Sequence, residues 1–299
     1  MLAGNFVPTR LRDHGCEIIG GLGLLLAVES QHNPRKAKIY QPLIRKMLDE
    51  ILSRGTNEDG IMFDTLDKPE SRLSDGWGYN YVTYLCYDMV AAEPVYWDRI
   101  VRTLGNLEKT KYKNYRWEGN SIDGFADSIE GGLYLMNRYP VPKALAWADS
   151  EMAANVVYSD NPLATAPLWG TMKLQANGVR TTLIHALMHT RGLIARPWRK
   201  DMTLGASETE DGLNIVMKAV EDWSGRLVFD IPRHREYMGF KRDWPRMNTM
   251  PEWFTVEFNK KYTVKNVANG TEKTYTGKQL HEGLPVELVA AEEKLLRIK

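Results

Sequence analysis

Four segments of the chain open alike, with a polar residue and a glycine ahead of an apolar run. They are Asp13-His-Gly-Cys-Glu-Ile-Ile-Gly-Gly-Leu22, Asp75-Gly-Trp-Gly-Tyr-Asn-Tyr-Val82, Asp123-Gly-Phe-Ala-Asp-Ser-Ile-Glu-Gly-Gly-Leu133 and Asn177-Gly-Val-Arg-Thr-Thr-Leu-Ile184. Their glycines, Gly15, Gly76, Gly124 and Gly178, recur at intervals of 61, 48 and 54 residues. Self-similarity at such a period marks stacked supersecondary units that share one core. Asp or Asn just before a helix can cap it by accepting a bond from an orphan backbone N–H, which makes Asp13, Asp75, Asp123 and Asn177 candidate caps. Each of the first three segments leads to an amphipathic stretch, Ala37–Arg54, Val95–Lys109 and Pro142–Val157. The repeating unit is therefore a hairpin of a small, apolar inner helix and an amphipathic outer one. Glycine inside a helix costs about 1 kcal/mol against alanine. Gly20, Gly21, Gly23, Gly131 and Gly132 therefore imply close approach to another helix or a ligand.

The pattern changes near residue 200. Short β-rich runs are predicted at 213–220, 225–231, 253–258, 261–265, 273–276 and 286–289, punctuated by turn signals. Asn269-Gly270 favours a type I′ hairpin turn, which needs positive φ at both residues. Two domains follow: residues 1–199 as helical hairpins and residues 200–299 as an antiparallel, β-sandwich-like domain.

Stacked hairpins form either an open solenoid or a closed α/α toroid. Long loops, 55–74, 110–122 and 158–176, precede the inner helices and fall on one rim, where sites are built. The four helix starts, above all Asp123-Gly-Phe-Ala-Asp-Ser-Ile-Glu-Gly-Gly132, and the β-rich C-terminal region make the chain resemble the six-hairpin glycosidase superfamily. The resemblance implies an α/α toroid joined to a β-sandwich, with a carbohydrate as partner and no cofactor. A full toroid has twelve helices, whereas the sequence reads as seven. An incomplete ring is expected, with an exposed inner-helix flank and self-association as a homodimer.

Candidate chemistry concentrates at the helix starts. Asp123, Asp127 and Glu130 stand at i, i+4 and i+7, on one helical face. Crowded carboxyls in a cleft are pushed to different pKa values, the condition for one to act as acid and another as base in glycoside hydrolysis. The alternative makes Asp123 a cap and pairs Asp127 with an arginine. Asp75 and Glu17 are candidates for a partner carboxyl from another helix. Trp77 and Tyr79 offer aromatic faces to a sugar and Asn80 an amide to its hydroxyls; the alternative is core packing. His14 is a candidate acid/base group or a capping residue, and Arg180 a fork for an acidic sugar. His185 and His189 have H-x-x-x-H spacing without further ligands, so no metal is assigned. The loop from Pro232 to Trp253 is long, basic and aromatic, suited either to an interdomain cleft or to a packing plug.

These residues point to a glycoside hydrolase acting on a poly- or oligosaccharide. A polysaccharide lyase using His14, Tyr79 or Arg180 on uronates is one alternative, and a non-catalytic sugar-binding or scaffold protein is another. The charge sum of +1, from 39 basic and 38 acidic residues, gives no nucleic-acid footprint. No run of 18 apolar residues predicts a membrane span. Cys16 and Cys86 are too few for a disulfide scaffold and are expected as buried free thiols. Met1 to Arg10 lacks a signal-peptide pattern. This predicts a cytoplasmic protein, or an extracytoplasmic one if the chain is part of a longer secreted protein.

Overall fold

A computed structural model describes residues 9–119, 121–157 and 174–299. Its N-terminal part is helical and its C-terminal part consists of two antiparallel sheets. The chain divides into two compact units, Met1–His185 with Trp244–Thr249, and Ala186–Asp243 with Met250–Lys299.

The helices of the N-terminal part are α1 (His14–His32), α2 (Pro34–Arg54), α3 (Trp77–Val90), α4 (Trp97–Asn106), α5 (Ile122–Met136), α6 (Pro142–Glu151) and α7 (Val179–Thr190). The four expected inner helices are α1, α3, α5 and α7. Helix α3 packs against α1 on one side and α5 on the other. Residues Trp77 to Asp88 of α3 are buried without interruption. Glycines set these crossings. A Cβ on Gly23 would lie 2.8 Å from the Thr83 Cα, and one on Gly78 would lie 2.2 Å from the Gly131 carbonyl carbon. Thr83 Oγ1 donates to the Ile19 carbonyl at 2.8 Å, and Thr181 Oγ1 to that of Ala126 at 3.2 Å. Gly21 has nothing within 4 Å of its notional Cβ, so close approach does not account for it. Nearby on α1, Ile18 and Leu25 are 66% and 42% exposed. The stretch 142–157 is α-helical only to Glu151 and continues as a wider π-type turn, Met152–Val157. Most of the loop 158–176 lies outside the described residues.

The candidate caps need correction. Asp123 is inside α5, and the cap is Ser121, whose Oγ accepts from the Gly124 N–H at 3.0 Å. Asp13 precedes α1 with φ 48° and makes no side-chain cap bond. Gly76, not Asp75, occupies the capping position of α3. Ser121→Ala is expected to cost about 1 kcal/mol, measurable by chemical denaturation, while Asp123→Ala leaves the cap intact.

In the second unit, β2 (Met202–Thr209), β3 (Gly212–Ala219), β5 (Lys261–Asn266), β6 (Glu272–Thr276) and β8 (Glu293–Ile298) form one sheet in the order β2-β3-β8-β5-β6. The strands β1 (Ile194–Arg196), β4 (Trp223–Val228) and β7 (Leu284–Leu288) form the other in the order β1-β4-β7. Burial alternates along β3, and Leu213, Ile215 and Met217 join Trp223, Phe229 and Leu296 in the core. Two short helices, α8 (Arg233–Glu236) and α9 (Gly277–Gly283), complete the unit among the described residues.

The run 253–258 is not a strand. The Phe254 N–H donates to the Arg191 carbonyl and that of Val256 to Asp230, so its backbone partners come from two separate loops. Asn269-Gly270 does lie between β5 and β6, but only Gly270 has positive φ, 74°. Its N–H bonds back to the Asn266 carbonyl at 2.9 Å, an i→i+4 closure and not a type I′ turn. No helix among the described residues is long and apolar enough to cross a membrane.

Candidate functional site

The starts of α1, α3 and α5 converge because their lead-in segments share hydrogen bonds. The Leu11 carbonyl accepts from Ser74 Oγ at 2.8 Å and from Asn80 Nδ2 at 2.6 Å, tying the approach to α1 to that of α3. Gly76 leaves room for Cys16, whose Sγ would be 2.7 Å from a Cβ there. Between these starts is a polar cavity of about 210 Å³. Asp13, Cys16 and Glu17 line it at the start of α1, Asp75 and Tyr79 at the start of α3, and Asp123 and Asp127 from α5; Glu118, Asn177, Arg180 and Arg246 complete the wall.

Asp127 is central. Its Oδ1 accepts from the Tyr79 hydroxyl at 3.1 Å and from Arg180 Nη2 at 3.4 Å. Burial pushes its pKa up to about 7, with Asp123, Glu130 and Asp75 adding repulsion and Arg180 opposing it. Asp75 is also pushed up to about 7, first by burial and then by Glu118 and Asp64; the Gly76 N–H, bonded to its Oδ1 at 2.8 Å, opposes the shift. Asp123 accepts a hydrogen bond from the Asn177 amide. Burial holds the Tyr79 hydroxyl well above its ordinary pKa, with Asp127 and Glu130 reinforcing the effect. The Cys16 thiol is raised to about 12, by burial first and then by Asp75, so it is no nucleophile near neutral pH. Cys16 and Cys86 are both buried and free.

Of the residues expected here, Asp75, Tyr79, Asp123, Asp127, Glu17 and Arg180 line the cavity. Glu130 does not. It is 2% exposed, takes a 2.6 Å bond from Arg180 Nε and another from Tyr134 at 3.1 Å, and serves as counter-ion to Arg180. Trp77 offers no face to a sugar: it is fully buried, edge-on to Trp147 and Tyr81, and bonded through Nε1 to Ser128. Asn80 is likewise enclosed and donates to backbone carbonyls. The His14 side chain is 95% exposed, 3.5 Å from Glu17, and outside the cavity lining. His185 bonds through Nε2 to Asp149 at 2.7 Å.

Sequence reasoning missed Glu118 as a site residue and reached Arg246 only as part of the loop from Pro232 to Trp253. Arg246 arrives with Trp244–Thr249, the part of the long loop that belongs to the helical unit, and its guanidinium is 4.0 Å from the Tyr79 ring centre. Glu118 is held in the left-handed region at φ 45°, ψ 40°, and the Ser121 hydroxyl donates to its carboxylate. A strained non-glycine residue in a cavity wall is a recognised mark of function.

The two raised carboxyls carry a pH signature. Their folded pKa of about 7 exceeds the ordinary 3.8. Folding therefore favours the protonated form, and the stability this contributes is complete below about pH 4 and is lost as pH rises through 7. The loss is at most about 1.4 kcal/mol per pH unit for each carboxyl. Urea midpoints are expected to be lower at pH 8 than at pH 5, with a smaller difference in the Asp75→Asn/Asp127→Asn double variant.

Comparisons of the chain with protein-family models, curated proteins and solved structures returned no match.

Proposed function

We propose that the helical unit is an arc of an α/α toroid and that its cavity hydrolyses glycosidic bonds. One observation carries the reading: Asp75, just before α3, and Asp127, on the adjacent α5, line the same polar cavity and are both poised near neutral pH. Glycoside hydrolysis needs one carboxyl that gives a proton to the leaving oxygen and one carboxylate on the other side of the bond. Asp127 is the acid. Its Oδ1 is engaged by Tyr79 and Arg180, which leaves Oδ2 to carry the proton. Asp75 is the partner carboxylate, and Asp123 positions the substrate.

The favoured substrate is an oligosaccharide with a carboxylate-bearing sugar. Glu130 and Asp127 occupy Arg180, whereas Arg246 lines the cavity with its guanidinium stacked on Tyr79 and is the fork available to a uronate. The lyase alternative has less support. Tyr79 holds its proton toward Asp127, and His14 is outside the cavity.

The test is incubation of the full chain with neutral and uronate-containing oligosaccharides, reading new reducing ends and ultraviolet absorbance together. Reducing ends without an absorbing product are expected. A conjugated, absorbing product would instead establish a lyase, and saturable binding without turnover a sugar-binding protein.

A further inference from the structure

We propose that the second unit holds a divalent transition-metal ion on His234, Asp243 and Glu252. These residues belong to the long connection between β4 and β5, a stretch whose only helix is the four-residue α8. Structureless connections of that length usually serve a function. One ring nitrogen of His234 and one carboxylate oxygen from each of Asp243 and Glu252 lie within 4.8 Å of one another. Donors around a zinc-sized ion, at 2.0–2.2 Å from the metal, stand about 3.3 Å apart. A modest inward turn of the side chains closes the set.

The surroundings hold two of the three donors in place. Glu252 is 7% exposed, and its Oε1 accepts from the His234 backbone N–H at 2.7 Å, which leaves Oε2 beside His234 Nδ1 at 2.8 Å. Nδ1 and Oε2 are within hydrogen-bond distance in that arrangement, and a metal ion between them displaces that bond when it binds. The neighbouring Arg233 donates through Nη2 to the Met250 carbonyl at 2.8 Å and to Asp230 Oδ2 at 2.9 Å. The residue before His234 is thereby locked to the approach to Glu252, the supporting shell that orients metal ligands. Two carboxylates balance a dication. The imidazole selects zinc, cobalt or iron over calcium and magnesium. Three protein donors leave a position open to water or a small ligand.

The experiment is calorimetric titration of the chelator-stripped full chain with zinc, and separately with calcium. Saturable zinc binding that requires His234 and Asp243 is expected, with a rise in melting temperature, and with calcium bound more weakly. Asp243→Asn, at a half-buried position, and His234→Gln should each weaken zinc by more than about 100-fold, beyond the usual cost of losing an outer-sphere partner. His185→Ala, at the separate Asp149, His185 and His189 cluster, should leave the zinc ion that depends on His234 and Asp243 bound. The site is overturned by no saturable zinc binding, by tighter calcium binding, by zinc affinity unaffected in Asp243→Asn and His234→Gln, or by loss of that zinc ion in His185→Ala.

Discussion

Asp127→Asn is expected to lower turnover by about 10²-fold or more, the scale for loss of a general acid, without lowering stability at pH 8. Asparagine retains an oxygen for the Tyr79 hydroxyl. It also removes a charge that burial and three neighbouring carboxylates disfavour. Arg180 keeps its main partner, since Glu130 takes the closer bonds. Glu130→Gln should behave in the opposite way. Its carboxylate is 3% exposed and is the principal counter-charge of Arg180, whose side chain is 33% exposed. Breaking a buried pair costs about 3–5 kcal/mol, and the partial exposure of Arg180 puts this one near the lower end. Melting curves and specific activities of the two variants separate the roles. A large fall in melting temperature for Asp127→Asn with unchanged activity would sink its catalytic assignment.

Gly78→Ala should be among the most destabilising small substitutions in the helical unit. The added methyl would lie 2.2 Å from the Gly131 carbonyl carbon and 2.6 Å from its Cα. These are backbone atoms, so no rotamer change relieves the clash and α3 must move away from α5. Overpacking costs about 1–3 kcal/mol and more where nothing can yield; about 3 kcal/mol or more is expected here. For a unit of this size that is a fall of roughly 6–12 °C in melting temperature. Gly21→Ala is the matched control. It adds the same methyl to α1 where nothing lies within 4 Å, so stability should rise by up to about 1 kcal/mol from helix propensity.

The repeated helix starts were legible because the signal is local. A polar residue, a glycine and an apolar run appear together in one window, and α1, α3, α5 and α7 begin close to where that pattern places them. The carboxylate face was legible for the same reason, since i and i+4 fix Asp123 and Asp127 on one side of α5. Spacing alone could not tell which member of that face reaches the cavity. Glu130 is drawn away by Arg180, a partner 50 residues distant. Trp77 and Asn80 looked available because an inner helix start gives no hint of what stacks on it, and Trp147 and Leu11 cover them.

Arg246 was legible only as one of many basic residues in the long loop from Pro232 to Trp253. It belongs to a loop read as part of the β region, and only the fold returns Trp244–Thr249 to the helical unit. Strand β8 was missed because Glu293-Lys-Leu-Leu-Arg-Ile298 is built mostly from good helix formers. Pairing with β3 on one side and β5 on the other overrides that preference.

Asp75 and Asp127 line one cavity as carboxyls poised near neutral pH. Carbon-13 NMR titration of the full chain with labelled aspartate carboxyls measures this without a substrate, using Asp75→Asn and Asp127→Asn to assign the two signals. Both midpoints are expected near 7, and the Asp127 midpoint should fall when Asp75 is neutralised, because Asp75 is among its repelling neighbours. Midpoints near 4, the range of ordinary solvated carboxyls, would contradict the assignment of an acid to this site.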